Sequence, residues 1–206
     1  MDLIVITPES TSADEIEIVN RMLANGLQRL HIRKPSYGTE DYKDYIKTID
    51  RRFYPQVVIH GSFELCSEYG LGAIHLNSAA RNDTLVREQV KNIPSSAIST
   101  SFHSWEEIRK NSFDYNYVFI SPVFDSISKP GYKGCIDLDG ADETKQIFAA
   151  QHKYCPKITG LGGVGPEQLK TLYEAGFDGG AMLGSIWNSA DPYAVFLEAI
   201  TQLKSL

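Results

Sequence analysis

Short apolar runs and longer stretches of three-to-four-residue periodicity take turns along this chain, one pair about every 25 residues. The apolar runs are LIVIT (Leu3–Thr7), RLHIR (Arg29–Arg33), QVVIH (Gln56–His60), AIHLN (Ala73–Asn77), AISTS (Ala97–Ser101), YVFIS (Tyr117–Ser121), KITGL (Lys157–Leu161) and GAMLG (Gly180–Gly184). They are short and rich in Ile and Val, as strands buried on both faces of a parallel sheet are. Between them lie helical patterns. STSADEIEIVNRMLANG carries Ile16, Val19, Met22 and Leu23 on one face and stops at Gly26, the usual place for a left-handed residue after a helix. TEDYKDYIKTIDRRF starts from Thr39, SWEEIRK has Ser104 three residues before Glu107, and PEQLKTLYEAG and DPYAVFLEAITQL open on Pro166 and Pro192. Eight strands alternating with helices predict a (β/α)8 TIM barrel, one α/β domain over residues 1–206. A doubly wound open sheet is the rival, but it would use only five or six strands. In a barrel the site lies where strands end, so the residues closing each strand are the ones to read.

Composition narrows the picture. A net charge of −6 with no basic stripe argues against nucleic acid as a partner. No apolar run approaches the ~18 residues that span a bilayer, and the MDLIVITPES start reads as a first strand rather than a signal peptide. Three cysteines, Cys66, Cys135 and Cys155, form no CxxC pair and leave one over. That pattern suits a reducing cytoplasm without a disulfide frame. Apolar outer helix faces leave room for a homodimer.

The seventh and eighth strands run into TGLGGVGPEQ and GGAMLGSIWNS. Glycine lets a backbone approach a ligand closely, and amides at a helix start carry partial positive charge that suits phosphate. Barrels commonly bind phosphate after these two strands. Gly162, Gly163, Gly184 and Ser185 are therefore the expected phosphate-binding residues. After the sixth strand, ISPVFDSISKPGYKG offers the hydroxyls of Ser126 and Ser128, the mobile charge of Lys129, and Pro130 to limit the loop's freedom.

SPVFDSISKPG, SFHSWEE, GLGGV and AMLGSIW together resemble the thiamine phosphate synthase/thiazole tautomerase superfamily, over most of the chain. The resemblance implies small phosphorylated thiazole and pyrimidine ligands. In that superfamily the synthase joins a pyrimidine methyl diphosphate to a thiazole phosphate with Mg²⁺, and the tautomerase rearranges a thiazole carboxylate phosphate. It also implies Gly163, Gly184 and Ser185 at the thiazole phosphate, and Ser101, Ser126, Ser128 and Lys129 on the diphosphate or pyrimidine side. Arg33 in HIRK matches the arginine of the synthase pattern QLREK. Two departures matter. Where the synthase has Asn-Asp after its third strand, this chain has His60-Gly61, and where a metal-binding Asp follows its fourth, this chain has Asn77-Ser78-Ala79-Ala80. Asp83 lies three residues beyond as a poor substitute. Mg²⁺ needs hard oxygen ligands, usually carboxylates. The tautomerase branch also reads HIR and also lacks the first Asp, yet its acid/base histidine falls where this chain has Ser121-Pro122.

The histidines could supply the missing acid or base. His75 falls inside a strand and His103 before a helix, places where a structural hydrogen bond is the expectation. His60 occupies the family's ligand-binding position and His31 that of the synthase glutamine. The expected catalytic residues are therefore His60 or His31, with Lys129 beside the phosphate, and Arg33, Ser101, Ser126 and Ser128 bind substrate. No His or Cys spacing supports a metal site from His31, His60 and His103, so no protein metal site is expected. The leading reading is a divergent tautomerase-branch enzyme of thiamine biosynthesis. The alternatives are a working synthase, with Mg²⁺ held mainly by substrate, and a non-catalytic barrel that binds the phosphate ligand.

Overall fold

A computed structural model describes residues 1–125 and 134–206; Ser126, Ser128 and Lys129 lie outside the described residues. The strands are β1 (Asp2–Ile6), β2 (Arg29–Ile32), β3 (Val57–Ile59), β4 (Ala73–Leu76), β5 (Ile98–Phe102), β6 (Tyr117–Ile120), β7 (Lys157–Leu161) and β8 (Gly179–Met182). Each pairs in parallel with the next, and β8 returns to β1 through Asp2–Gly179 to Val5–Met182. The sheet is a closed eight-stranded barrel, as the alternation predicts.

Closure gives each strand two faces. On β1, Leu3 and Val5 join the large core between barrel and helices, while Ile4 and Ile6 join the inner cluster with Tyr117, Phe119 and Ala181. Complete burial of such side chains contributes about 1.5–3 kcal/mol each. The period-2 rule then places His31 inward beside outward Leu30 and Ile32, and Tyr117 and Phe119 inward beside outward Val118 and Ile120. The inner positions on one side of the barrel are thus polar or aromatic, which Ile- and Val-rich strands would not by themselves suggest.

The helices around the barrel are α1 (Glu15–Ala24), α2 (Thr39–Lys47), α3 (Glu64–Tyr69), α4 (Ser78–Asn82), α5 (Thr84–Val90), α6 (Trp105–Lys110), α7 (Gly140–Ala150), α8 (Leu169–Glu174), α9 (Gly184–Trp187) and α10 (Pro192–Lys204). Their ends follow local chemistry. Gly26 after α1 has φ +98°. Ser104 Oγ accepts from the Glu107 amide, and Glu107 returns a carboxylate to the His103 amide. Asp191 caps α10 through the Ala194 amide, with Pro192 in the first turn. The helix expected from Thr39 through Phe53 stops at Lys47 instead. Asp50 accepts from the Arg52 amide and starts a tighter 3₁₀ turn that holds Pro55. The segments α3, α4, α5, α7 and α9 are not among the helical patterns named from the sequence, because they are short or their apolar faces are interrupted by charge.

One buried ion pair ties β2 to α1. Lys34 Nζ lies 2.9 Å from Glu15 Oε2, with both side chains wholly buried. The Tyr45 phenol donates to the other Glu15 oxygen at 2.5 Å, and Lys34 also donates to the Pro8 carbonyl at 2.7 Å. Every partner is needed, since an unpaired buried charge costs several kcal/mol.

Candidate active site

A cavity of about 700 Å³ opens at the C-terminal ends of the strands. Its floor is built by inward residues of β4 to β6 and the residue just beyond β3: His60, His75, Ser101 and Phe119 line it. Arg33 and His103 line it as well, and Leu161 and Leu183 form an apolar side. The volume falls in the ordinary range for a small-molecule site.

The floor is a hydrogen-bonded set of imidazoles. His31 Nδ1 is 2.9 Å from His60 Nε2, and His31 Nε2 is 2.7 Å from the Tyr117 hydroxyl. His75 Nδ1 is 2.9 Å from Ser99 Oγ, and His75 Nε2 is 2.8 Å from Ser101 Oγ. The His60 and His75 rings stack at 4.4 Å, and Phe119 packs on His31 and His75. Strand register explains the pairing: Ser99 stands opposite both His75 on β4 and Tyr117 on β6.

Electrostatics keep these rings neutral. Burial pushes His31 well below the ordinary imidazole value, helped by His75 and Arg29. Burial does the same for His60, helped by His75, His31 and Arg33. His75 falls to about 3, again through burial first, then Arg81 and Arg33. The Tyr117 phenol is raised to about 12 by burial. A neutral imidazole at the cavity is a base with an available lone pair.

The sequence of residues 3–186 matches the pattern of a family described as thiamine monophosphate synthase. The chain belongs to the thiamine monophosphate synthase family. Among curated relatives, "Thiamine-phosphate synthase" of Desulfitobacterium hafniense is 24% identical over 199 residues, 94% of this chain and 89% of that protein. "Thiamine-phosphate synthase 1" of Streptococcus pneumoniae is 22% identical over 142 residues, 68% of this chain. That match spans 64% of the streptococcal protein, less than two thirds of its length. A solved thiamine phosphate pyrophosphorylase from Bacteroides thetaiotaomicron superposes with a TM-score of 0.76 at 26% identity, covering 99% of this chain and 98% of that one.

The family resemblance brings Mg²⁺ with it, and the described donors do not fit that ion. The matched positions hold His60-Gly61 and Asn77 through Ala80. Asp83 is committed elsewhere: its carboxylate caps α5 through the Leu85 amide at 2.7 Å. Glu9 is the carboxylate lining the cavity among the described residues, and it pairs with Arg33 at 2.7 Å. Hard Mg²⁺ seeks oxygen, usually from carboxylates. One ring nitrogen from each of His31, His60 and His75 lies within 4.8 Å of the other two. Zinc-bound nitrogens would stand ~3.3 Å apart around a tetrahedral ion. The 2.9 Å between His31 and His60 is a hydrogen bond.

Several expected residues meet here. His60, Arg33 and Ser101 line the cavity, and His31 lies directly behind His60. His103 does not join the histidine set: its Nδ1 faces the Ser121 carbonyl at 3.1 Å, a structural contact as expected. His75 takes its place, buried and hydrogen-bonded as expected, yet also part of the floor. The glycine loops touch each other: Ser185 Oγ donates to the Val164 carbonyl at 2.6 Å, and Gly165 and Gly184 line a separate hollow of about 310 Å³. Gly162 (φ +93°) and Gly163 (φ +68°) serve a close approach to the loop after β6. A Cβ at Gly163 would sit 2.3 Å from the Asp125 carbonyl oxygen. Sequence reasoning missed Tyr117 and Ser99. Period 2 from Phe119 and Ser101 marks both as inward, and that was the available signal.

Proposed function

We propose that this protein handles a thiazole phosphate in thiamine biosynthesis and moves a proton on it, with His60 as the acid/base. One observation carries the reading: the cavity floor holds a neutral imidazole, backed by a second, directly before Gly61, where a synthase would have a metal-binding carboxylate. His60 Nε2 is taken up by His31, so Nδ1 is the nitrogen left to meet substrate. Arg33 supplies positive charge and Ser101 a hydroxyl for an anionic ligand, with the adjoining hollow at the glycine loops and Lys129 proposed for its phosphoryl oxygens. Leu161, Leu183 and Phe119 offer an apolar side for a heteroaromatic ring. Ionising a diphosphate without metal would leave its charge to a few cations, at a cost of several kcal/mol. A proton transfer creates no such charge.

A second reading, a working synthase with its metal held by substrate, is favoured by what the relatives are called. The two separate in one assay series. With thiazole carboxylate phosphate, His60→Ala lowers kcat by at least about 10²-fold and leaves phosphate affinity nearly unchanged. Undiminished turnover in that variant removes His60 from the mechanism. Mg²⁺-dependent release of diphosphate from a pyrimidine diphosphate and thiazole phosphate would establish the synthase instead. Tight binding without turnover of either substrate set would leave a non-catalytic ligand-binding barrel.

A further inference from the structure

Two hydrogen-bonded arms run from the cavity into the barrel core. One passes from His60 Nε2 to His31 Nδ1 at 2.9 Å and from His31 Nε2 to the Tyr117 phenol at 2.7 Å. The other passes from Ser101 Oγ to His75 Nε2 at 2.8 Å and from His75 Nδ1 to Ser99 Oγ at 2.9 Å. The arms end side by side. Ser99 and Tyr117 are register partners across β5 and β6, which sets the Ser99 hydroxyl beside the Tyr117 phenol. His60, His75 and Ser101 line the cavity, whereas His31, Ser99 and Tyr117 are sealed within the core.

We propose that these six side chains form one proton circuit with both ends on the cavity, removing a proton from one position of a bound substrate and returning a proton at another. The inference rests on the proton-transfer reading above and extends it, because a tautomerisation needs both events. The balance is simple. The substrate's bond to hydrogen breaks as an N–H bond forms at His60 Nδ1. The His60 Nε2 proton passes to His31 Nδ1, the His31 Nε2 proton to Tyr117, the phenol proton to Ser99, and the Ser99 proton to His75 Nδ1. The His75 Nε2 proton passes to Ser101, and the Ser101 proton joins the substrate. Each group starts and ends neutral, so no imidazolium need form in the dry core, where burial disfavours it. Water in the emptied cavity resets the circuit by the reverse path.

The circuit has a signature that packing alone does not. Donors must all point one way, so His60, His31 and His75 share one tautomer, all Nε2–H or all Nδ1–H. The competing arrangement turns the Ser99 hydroxyl to the Ile74 carbonyl at 3.2 Å. Ser99 then accepts from both neighbours, and the arms separate into Nε2–H at His60 and His31 and Nδ1–H at His75. Long-range ¹⁵N–¹H NMR of the full chain, labelled at histidine, reads this directly at pH 7.5. A shared tautomer is expected, and a mixed set overturns the circuit. Tyr117→Phe keeps the ring and removes the joining hydroxyl. It should shift the tautomer balance of His75, whose ring meets His60, Phe119 and His31 rather than Tyr117. An unchanged His75 overturns the proposal. Should that variant not fold, Ser99→Ala makes the same cut and should shift His31 and His60. On thiazole carboxylate phosphate, Tyr117→Phe should lower kcat by about 10²-fold with KM within about twofold. A wild-type protein without turnover on that substrate removes the proton-transfer reading, while the tautomers still decide the circuit. Stoichiometric Zn²⁺ in the purified protein, with the His31–His60 hydrogen bond lost, would overturn it as well.

Discussion

Acidification tests the neutral histidine floor quantitatively. His31 and His75 are 0% and 2% exposed, and both are held below the ordinary value. His31 packs against His60, His75, Tyr117 and Phe119, with Arg29 acting on it. His75 meets His60, Phe119, Ser99 and Ser101, with Arg81 and Arg33 acting on it. These charged groups are all cationic and oppose protonation. In the unfolded chain each histidine titrates at about 6.5. Below that value the unfolded state binds more protons than the folded one, so stability is full above about pH 6.5 and is lost as pH falls. At pH 5 each neutral histidine forgoes about 2 kcal/mol of protonation free energy, and the two together about 4 kcal/mol. For His75 the loss runs on until the pH nears about 3. Against a total of about 5–15 kcal/mol, that is a large fraction. His60, lowered by burial as well, adds a third proton. Urea unfolding at pH 7.5, 6.5, 5.5 and 5.0 should show a slope of about three protons taken up per molecule below pH 6. His75→Gln should reduce that slope to about two, whatever it does to the stability at pH 7.5. Stability that stays level from pH 7.5 to 5.0 would refute the reasoning, because it would mean the core rings protonate as readily as free ones.

Two further outcomes test the fold beneath the site. Lys34→Met leaves the Glu15 carboxylate buried without its cation, and denaturant midpoints should report a loss of about 3–5 kcal/mol, partly recovered by adding Glu15→Leu. Gly163→Ala should cost about 2 kcal/mol or more, since its Cβ meets the Asp125 carbonyl and its φ is +68°. Gly26→Ala, with φ +98° but open space around it, should cost only about 1 kcal/mol by the same thermal-melt comparison.

Much of this molecule was legible from the chain. Alternation of Ile/Val-rich runs with capped helices determined the barrel, because a strand buried on both faces and a helix buried on one leave distinct periodicities. Reading the strand ends put His60 and the two glycine loops near the open rim. It could not name the partners. Whether His75 or His103 would join His31 and His60 depends on which strands become neighbours and in what register. Only closure of the sheet set Ser99 between His75 and Tyr117. Lys34 illustrates the same limit: nothing in HIRK marks its partner, and only packing sets it against Glu15 on α1. Local sequence fixes what each element is and which side chains share a face, since those follow from short-range geometry. Contacts between residues far apart in the chain, and the pKa values they set, arise only when packing removes water from around them.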